Sequence, residues 1–221
     1  MSILNKCIAT ALFGAALLKP AICQANVYVA NGPDSSGSSG FVGEYSDSGS
    51  LINRVLISNV IGPSGLAISD NHLYVTNATV NHEWVNEYDL SGSSIASPLF
   101  YRAFVPYGIA IAAGYIYVSH PSAGTVGKYD MAGNTIADSL ISGLVYPEGL
   151  AVVGSNLYVV NNEGGTIGEY STSGQSISPS LISGLDFPTS ICVAGGNLYV
   201  TNSEHNTVGE YALSGAPITD L

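Results

Sequence analysis

Seven residues carry the side chains best suited to chemistry: His82, Glu83, His120, Glu148, Glu163, Glu204 and His205. Imidazole beside carboxylate can hold a divalent ion or pass protons. No compact motif joins them. The chain has no His-x-His, no Cys-x-x-Cys and no His-Glu-x-x-His, the spacings that put metal ligands on one local element. It also lacks a Gly-x-Ser-x-Gly elbow, a P-loop and a dinucleotide fingerprint, so no local signature of a serine nucleophile or a phosphate cradle is present. The seven can cooperate only if the fold brings distant segments to one face. What positions them is therefore the question.

The 221 residues hold 5 Lys+Arg against 16 Asp+Glu, a net charge of −11. A nucleic-acid binder needs basic charge to displace phosphate counterions, so that class is excluded. An anionic membrane surface is disfavoured for the same reason. Hydrophobic residues make up 46% of the chain and charged residues 10%, which is the balance of a chain with a packed core and not of a disordered one.

The first 25 residues read as a secretory signal peptide. Met1–Lys6 carries one positive charge, Cys7–Leu18 is an apolar run of twelve, and Cys23 and Ala25 are the small residues before a cut after Ala25. Twelve apolar residues fall short of the ~20 that span a bilayer. Ile22 before Cys23 fits a lipoprotein site poorly. Cleavage leaves Arg54, Arg102 and Lys128 against sixteen acids, a net of −13. It leaves Cys192 as the lone cysteine, a small core residue with no intramolecular disulfide to form. The product is expected to be secreted, periplasmic or at the cell surface, with no membrane span of its own.

Residues 26–221 repeat one line. Val27–Asn31, Leu73–Asn77, Ile116–His120, Leu157–Asn161 and Leu198–Asn202 are variants of aliphatic-Tyr-Val-x-Asn. A second line ends in Tyr45, Tyr88, Tyr129, Tyr170 and Tyr211, spaced by 43, 41, 41 and 41 residues. A turn glycine follows each (Gly49, Gly92, Gly133, Gly174, Gly215), then an isoleucine (Ile52, Ile95, Ile136, Ile177, Ile218). Pro63, Pro106, Pro147 and Pro188 open new units. Each unit holds four short apolar runs rich in Val, Ile and Tyr, cut by Gly, Asn, Ser and Pro, which are strand and turn signals. Four strands in about 41 residues is the period of a β-propeller blade. The units run over about 27–62, 63–105, 106–146, 147–187 and 188–221.

At these residues the chain resembles the YVTN and NHL-type propeller repeats, with Tyr-Val-Thr-Asn literal at Tyr74–Asn77 and Tyr199–Asn202. The resemblance implies an all-β propeller of four-stranded blades, secreted or periplasmic, and no single activity. One departure is the glutamate of Gly-Glu-Tyr, which puts Glu44, Glu87, Glu169 and Glu210 in the third strand, with Lys128 breaking the series. A buried unpaired carboxylate is costly, so these must sit near a strand end or find donors on adjacent strands, Thr hydroxyls or Asn amides.

The first unit enters at its second strand, and the last stops where its fourth should begin. The count is therefore about five blades, first and last incomplete, an arc strained shut or open, or a truncated six- or seven-bladed ring. Open edges would drive self-association. Alternating strand direction gathers the seven chemical residues on one face, here called face one. It also carries the Asp34–Gly40 loop and the Pro turns. Arg54 and Arg102 fall on outer, solvated strands. Asn77-Ala78-Thr79 is a sequon in form but lies in the repeat turn. The expected function is a binding or scaffold propeller that presents loops to an unknown protein or small ligand, without catalysis or cofactor of its own. The alternative is a metal-dependent lyase- or lactonase-type enzyme with a divalent ion at the channel mouth, which requires His82, His120, His205 and a glutamate to converge.

Overall fold

The computed structural model describes residues 10–11, 14–18, 26–32, 39–79, 82–101 and 104–220. They form five antiparallel sheets in which strands pair in chain order. Blade one comprises Gly14–Leu18, Asn26–Asn31, Gly40–Ser46 and Leu51–Val60, with the pair Thr10–Ala11 added to its inner edge. Blade two is Pro63–Ser69, His72–Thr79, His82–Asp89 and Ser94–Tyr101. Blade three is Ile109–Ala112, Tyr115–His120, Thr125–Asp130 and Thr135–Ser142. Blade four is Pro147–Val153, Asn156–Asn161, Thr166–Ser171 and Ser176–Ser183. Blade five is Pro188–Ala194, Asn197–Asn202, Thr207–Ala212 and Pro217–Asp220. First strands lie side by side around the axis, and Thr10–Ala11 touches Pro188–Ala194 to bring the ring round.

The repeated second-strand line explains why the blades stack. Successive side chains on a strand point to opposite faces. Leu73 and Val75 therefore pack with Tyr28, Val42 and Ile57 of blade one. Tyr74, between them, packs with Ile116, Val118 and Tyr129 of blade three. The pattern recurs: Tyr117 meets Leu157 and Val159, and Tyr158 meets Leu198 and Val200. Each apolar core thus lies between two blades, and both faces of the line are buried. Full burial of one such Leu or Val contributes about 1.5–3 kcal/mol.

The turn glycine between third and fourth strands is required twice over. At Gly92, Gly133, Gly174 and Gly215 φ lies between 81 and 91°, a region that side chains avoid. A Cβ there would also come within 2.2–2.8 Å of the carbonyl oxygens of Leu56, Leu99, Leu140 and Leu181 on the preceding blade. The outer corner of each blade is therefore seated on its neighbour's fourth strand.

Three expectations are corrected. Blade one does not enter at its second strand: Gly14–Leu18 pairs with Asn26–Asn31, with Ala16 opposite Val29 and Leu18 opposite Val27. That segment lacks the Pro-x-Gly-Leu-Ala-Val line, so its strand role was hidden behind its apolar character. Blade five is completed in its turn by Pro217–Asp220 against Thr207–Ala212. Cys192 is buried as expected but disulfide-bonded, contrary to the lone-thiol reading. Cys7 and Cys23, the other cysteines, lie outside the described residues, as do most of the 1–25 segment, residues 33–38 and Arg102. Arg54 is exposed on its outer strand, and Asn77 is fully buried, which removes it as a glycan acceptor.

A cut after Ala25 would take Gly14–Leu18 away and turn Asn26–Asn31 into an unpaired edge. A chain beginning at Asn26 is expected to melt about 5 °C or more below the full chain and to self-associate. Melting curves and light scattering on the two chains check this. Equal melting temperatures and two monomers would show that the inner strand is dispensable.

Candidate functional site

The Pro turns that open the blades and the loops between second and third strands lie together on face one. The amides of Ala78, Asn162 and Ser203 donate to the carbonyls of Gly62, Tyr146 and Phe187 at 2.7, 3.1 and 3.1 Å. Just inside this rim, one hydroxyl on the second strand ties blade two to blade three and blade three to blade four. Thr76 Oγ1 donates to the Tyr107 carbonyl at 2.7 Å. Ser119 Oγ accepts from the Gly108 amide at 2.8 Å and donates to the Glu148 carbonyl at 2.6 Å. In blade four the equivalent residue is Val160, and Asn162 Nδ2 replaces the hydroxyl by donating to the Pro188 carbonyl at 2.9 Å. These bonds fix the residue after each blade-opening proline beside the axis: Ser64, Tyr107, Glu148 and Thr189.

Those four positions differ in how they are satisfied. Ser64 and Thr189 share hydrogen bonds with Thr76 and Thr201 at 2.9 and 2.8 Å. Glu148 is 6% exposed, and its Oε2 has no hydrogen-bond partner among the described residues. Burial alone pushes its carboxyl up to about 7. Next to it, the Tyr107 phenol is pushed up to about 12, by burial first, then by the nearby charge of Glu148 and by Tyr146. Blade three starts its first strand late, at Ile109, where blades two, four and five start at the proline itself. The irregular entry leaves a hollow of about 190 Å³ lined by Ala78, Val105, Tyr107, Pro121, Ser122 and Tyr146.

The other chemical residues are held in different surroundings. His120 is buried, with Nε2 bonded to the Tyr129 hydroxyl at 3.2 Å and its ring against Phe104. His205 is exposed and faces Asp186 at 3.3 Å. Glu163 and Glu204 are exposed and Glu83 is half-buried, while the His82 side chain lies outside the described residues. Among the described residues no group of three or more His, Cys, Asp or Glu side chains is placed to hold a metal ion.

The third-strand glutamates are satisfied within their own blades. Glu44 accepts from Asn26 Nδ2 and the Tyr28 hydroxyl at 2.6 and 3.2 Å. Glu169 accepts from Asn156 and Tyr158 at 2.6 and 3.3 Å, and Glu210 from Asn197 and Tyr199 at 2.7 and 2.8 Å. In blade two, His72 Nδ1 takes the amide's place at 2.6 Å beside Tyr74 at 2.8 Å. The Asn donors were legible; the tyrosine of the Tyr-Val line was not counted as a donor because it reads as a core residue. Blade three swaps the set: Lys128 Nζ lies 4.1 Å from the centre of the Tyr115 ring and donates to the Thr172 carbonyl at 3.1 Å.

The Glu148 carboxyl makes a pH prediction. Its folded value lies above the ordinary 4.5, so it ionises first in the unfolded chain. Its contribution to stability is whole below pH 4.5 and is lost as pH rises to about 7. The unfolding free energy is expected to fall by about 3 kcal/mol more over this window in the natural chain than in Glu148→Gln. Denaturant titrations at pH 4.5 and 7 check the difference, in which all other groups cancel.

Residues 185–211 match the NHL repeat. No curated protein matches the sequence. Solved structures share the fold. A nidogen/laminin complex is similar with a TM-score of 0.70 and 20% identity, covering 89% of this chain and 75% of that one. A streptogramin B lyase has a TM-score of 0.66 and 16% identity, covering 93% and 67%. A catalytically inactive virginiamycin B lyase from Staphylococcus aureus with quinupristin has a TM-score of 0.60 and 15% identity, covering 98% and 73%. With five four-stranded blades built on one repeated line, the chain is a β-propeller, and its residues 185–211 match the NHL repeat.

Proposed function

We propose that the protein is a binding propeller that works outside the cytoplasm and meets its ligand or partner with face one, without catalysis of its own. The apolar run behind Lys6 and the small residues before Asn26 support export. One observation carries the choice of face. The residue before each blade-opening proline is Gly62, Val105, Tyr146 and Phe187 in blades two to five. Tyr146 and Phe187 sit at φ of 52 and 43°, where a bulky side chain is strained, and both are exposed, at 41 and 49%. Gly62 at φ 59° fills the same place without strain. An aromatic ring held out to solvent against its backbone preference costs of order 1 kcal/mol or more and is a pointer to contact. Exposed Phe104 and Val145 extend the apolar surface along the rim.

The test needs no ligand. If the rings serve contact and not packing, Tyr146→Gly and Phe187→Gly relieve strain and lose little. Each is expected to raise stability by about 0.5–1 kcal/mol. Denaturant melts of the single and double variants check this. A loss of 1 kcal/mol or more in each would make the rings packing residues and remove the basis for this reading.

A further inference from the structure

We infer that face one takes an extended stretch of another protein's chain, which seats one aliphatic side chain in the hollow between blades two and three and pairs an arginine, about three residues along, with Glu163. This rests on the reading of face one as the contact face and says what kind of partner it meets.

Size decides for a polypeptide against a small ligand. Pockets for small ligands hold about 300 to 1,000 Å³. The hollow holds about 190 Å³, room for one branched side chain. Its walls are Ala78, Val105, Tyr107, Pro121 and Tyr146, with Ser122 on the exposed margin, so an apolar group is what it favours. Most of the contact must then lie outside it. Exposed Phe104, Val145 and Phe187, at 51, 50 and 49%, supply that surface. One small pocket set in a flatter apolar rim is the anatomy of a protein interface.

The rim is continuous from the hollow to Glu163. Tyr146 lines the hollow, and its carbonyl accepts from the Asn162 amide at 3.1 Å. Asn162 Nδ2 reaches on to the Pro188 carbonyl at 2.9 Å, beside Phe187. Glu163 is the next residue and is exposed. A Cβ at Gly164 would lie 3.4 Å from that of Val145, so the turn that carries Glu163 rests against the same apolar rim. The arrangement repeats one blade on. Ser203 donates to the Phe187 carbonyl by its amide at 3.1 Å and its hydroxyl at 2.8 Å, and exposed Glu204 follows it. Carboxylates thus stand along an apolar rim, on a chain whose net charge of −11 draws cations. Arginine suits such a place better than lysine, because its guanidinium pairs with a carboxylate through two bonds and stacks on aromatic faces. Neighbouring sheets pack about 10 Å apart, and an extended chain advances about 3.3 Å per residue. One blade's step from the hollow to the Glu163 turn therefore spans about three residues.

The probes are acetyl-Leu-Thr-Thr-Arg-amide and its reverse, acetyl-Arg-Thr-Thr-Leu-amide, titrated separately into the full chain to about 10 mM and followed by NMR. One of the two is expected to bind with a dissociation constant on the order of 1 mM. Alanine in place of its leucine, or glutamate in place of its arginine, should weaken binding about fivefold or more. Ser122→Trp fills the hollow and Glu163→Gln removes the charge; both positions are exposed, and each variant should bind about fivefold or more weakly while melting like the natural chain. Glu163→Arg should prefer the glutamate peptide to the arginine one, a reversal that a merely structural role would not produce. No binding of either peptide to the natural chain overturns the inference. So do equal binding of the alanine or glutamate peptide, unchanged binding in Ser122→Trp or Glu163→Gln, and no reversal in Glu163→Arg. 3-Methylbutan-1-ol binding as tightly as the peptide assigns the hollow to a small ligand, and phosphatidylcholine vesicles bound by the natural chain but not by the Tyr146→Gly, Phe187→Gly double variant assign the rim to a bilayer; either result overturns it. The glycine variants report on the face through stability alone, so the peptide assignment can fail while the contact face stands.

Discussion

A single hydroxyl or amide reaching from one blade to a carbonyl of the next sets the geometry of three consecutive seams of the ring. Thr76, Ser119 and Asn162 each make such a bond, between 2.6 and 2.9 Å long. Apolar packing between blades is strong but indifferent to small slides. A directional bond is not. It fixes how far one first strand stands from the next, and so which side chains crowd the axis. At Gly108 the fit leaves no room for a Cβ, which would lie 2.2 Å from the Glu148 carbonyl. The close approach that rigidifies the mouth is also what buries Glu148.

Two kinds of polar burial divide the molecule. The third-strand glutamates are buried or half-buried with donors supplied by their own blade, two to each carboxylate. Glu148 is buried with its side chain unfinished. The first kind holds blades together internally; the second lies at the seam between blades three and four. Their separation follows from topology, because the Asx-Tyr-Glu sets lie toward the face of the Ser-Gly turns, whereas Glu148 follows a proline on the other face.

Much of this was legible in the sequence. The spacing of Tyr45, Tyr88, Tyr129, Tyr170 and Tyr211 gave the blade period, and Pro63 to Pro188 marked where blades begin. The alternation of Tyr and Val predicted burial on both sides, as found at Tyr158 and Val159. Gly14–Leu18 was not legible as a strand, because an apolar run with small residues satisfies an export signal and an inner strand equally. Glu148 stood among seven candidates without rank. What distinguishes it is the depth of one position relative to the ring axis, set by Ser119 and Gly108 from a different blade, and no local pattern encodes that. His72 was passed over since its partner Glu87 lies fifteen residues away on the adjacent strand. The strain at Tyr146 and Phe187 was equally invisible: Tyr-Pro and Phe-Pro are ordinary dipeptides on paper.

The self-sufficiency of each blade bears on how such a ring can change over time. Every Asx-Tyr-Glu set closes within one repeat, and what passes between repeats is a packed face and one or two bonds to a backbone carbonyl, which any residue type offers. A duplicated or deleted unit that carries such a set would therefore keep its buried carboxylate paired and need only re-form the apolar seams with its neighbours. Blade number becomes a quantity that unequal recombination can alter without passing through an unfolded intermediate. The residue after each opening proline is then free to diverge blade by blade, and serine, tyrosine, glutamate and threonine hold that place in blades two to five.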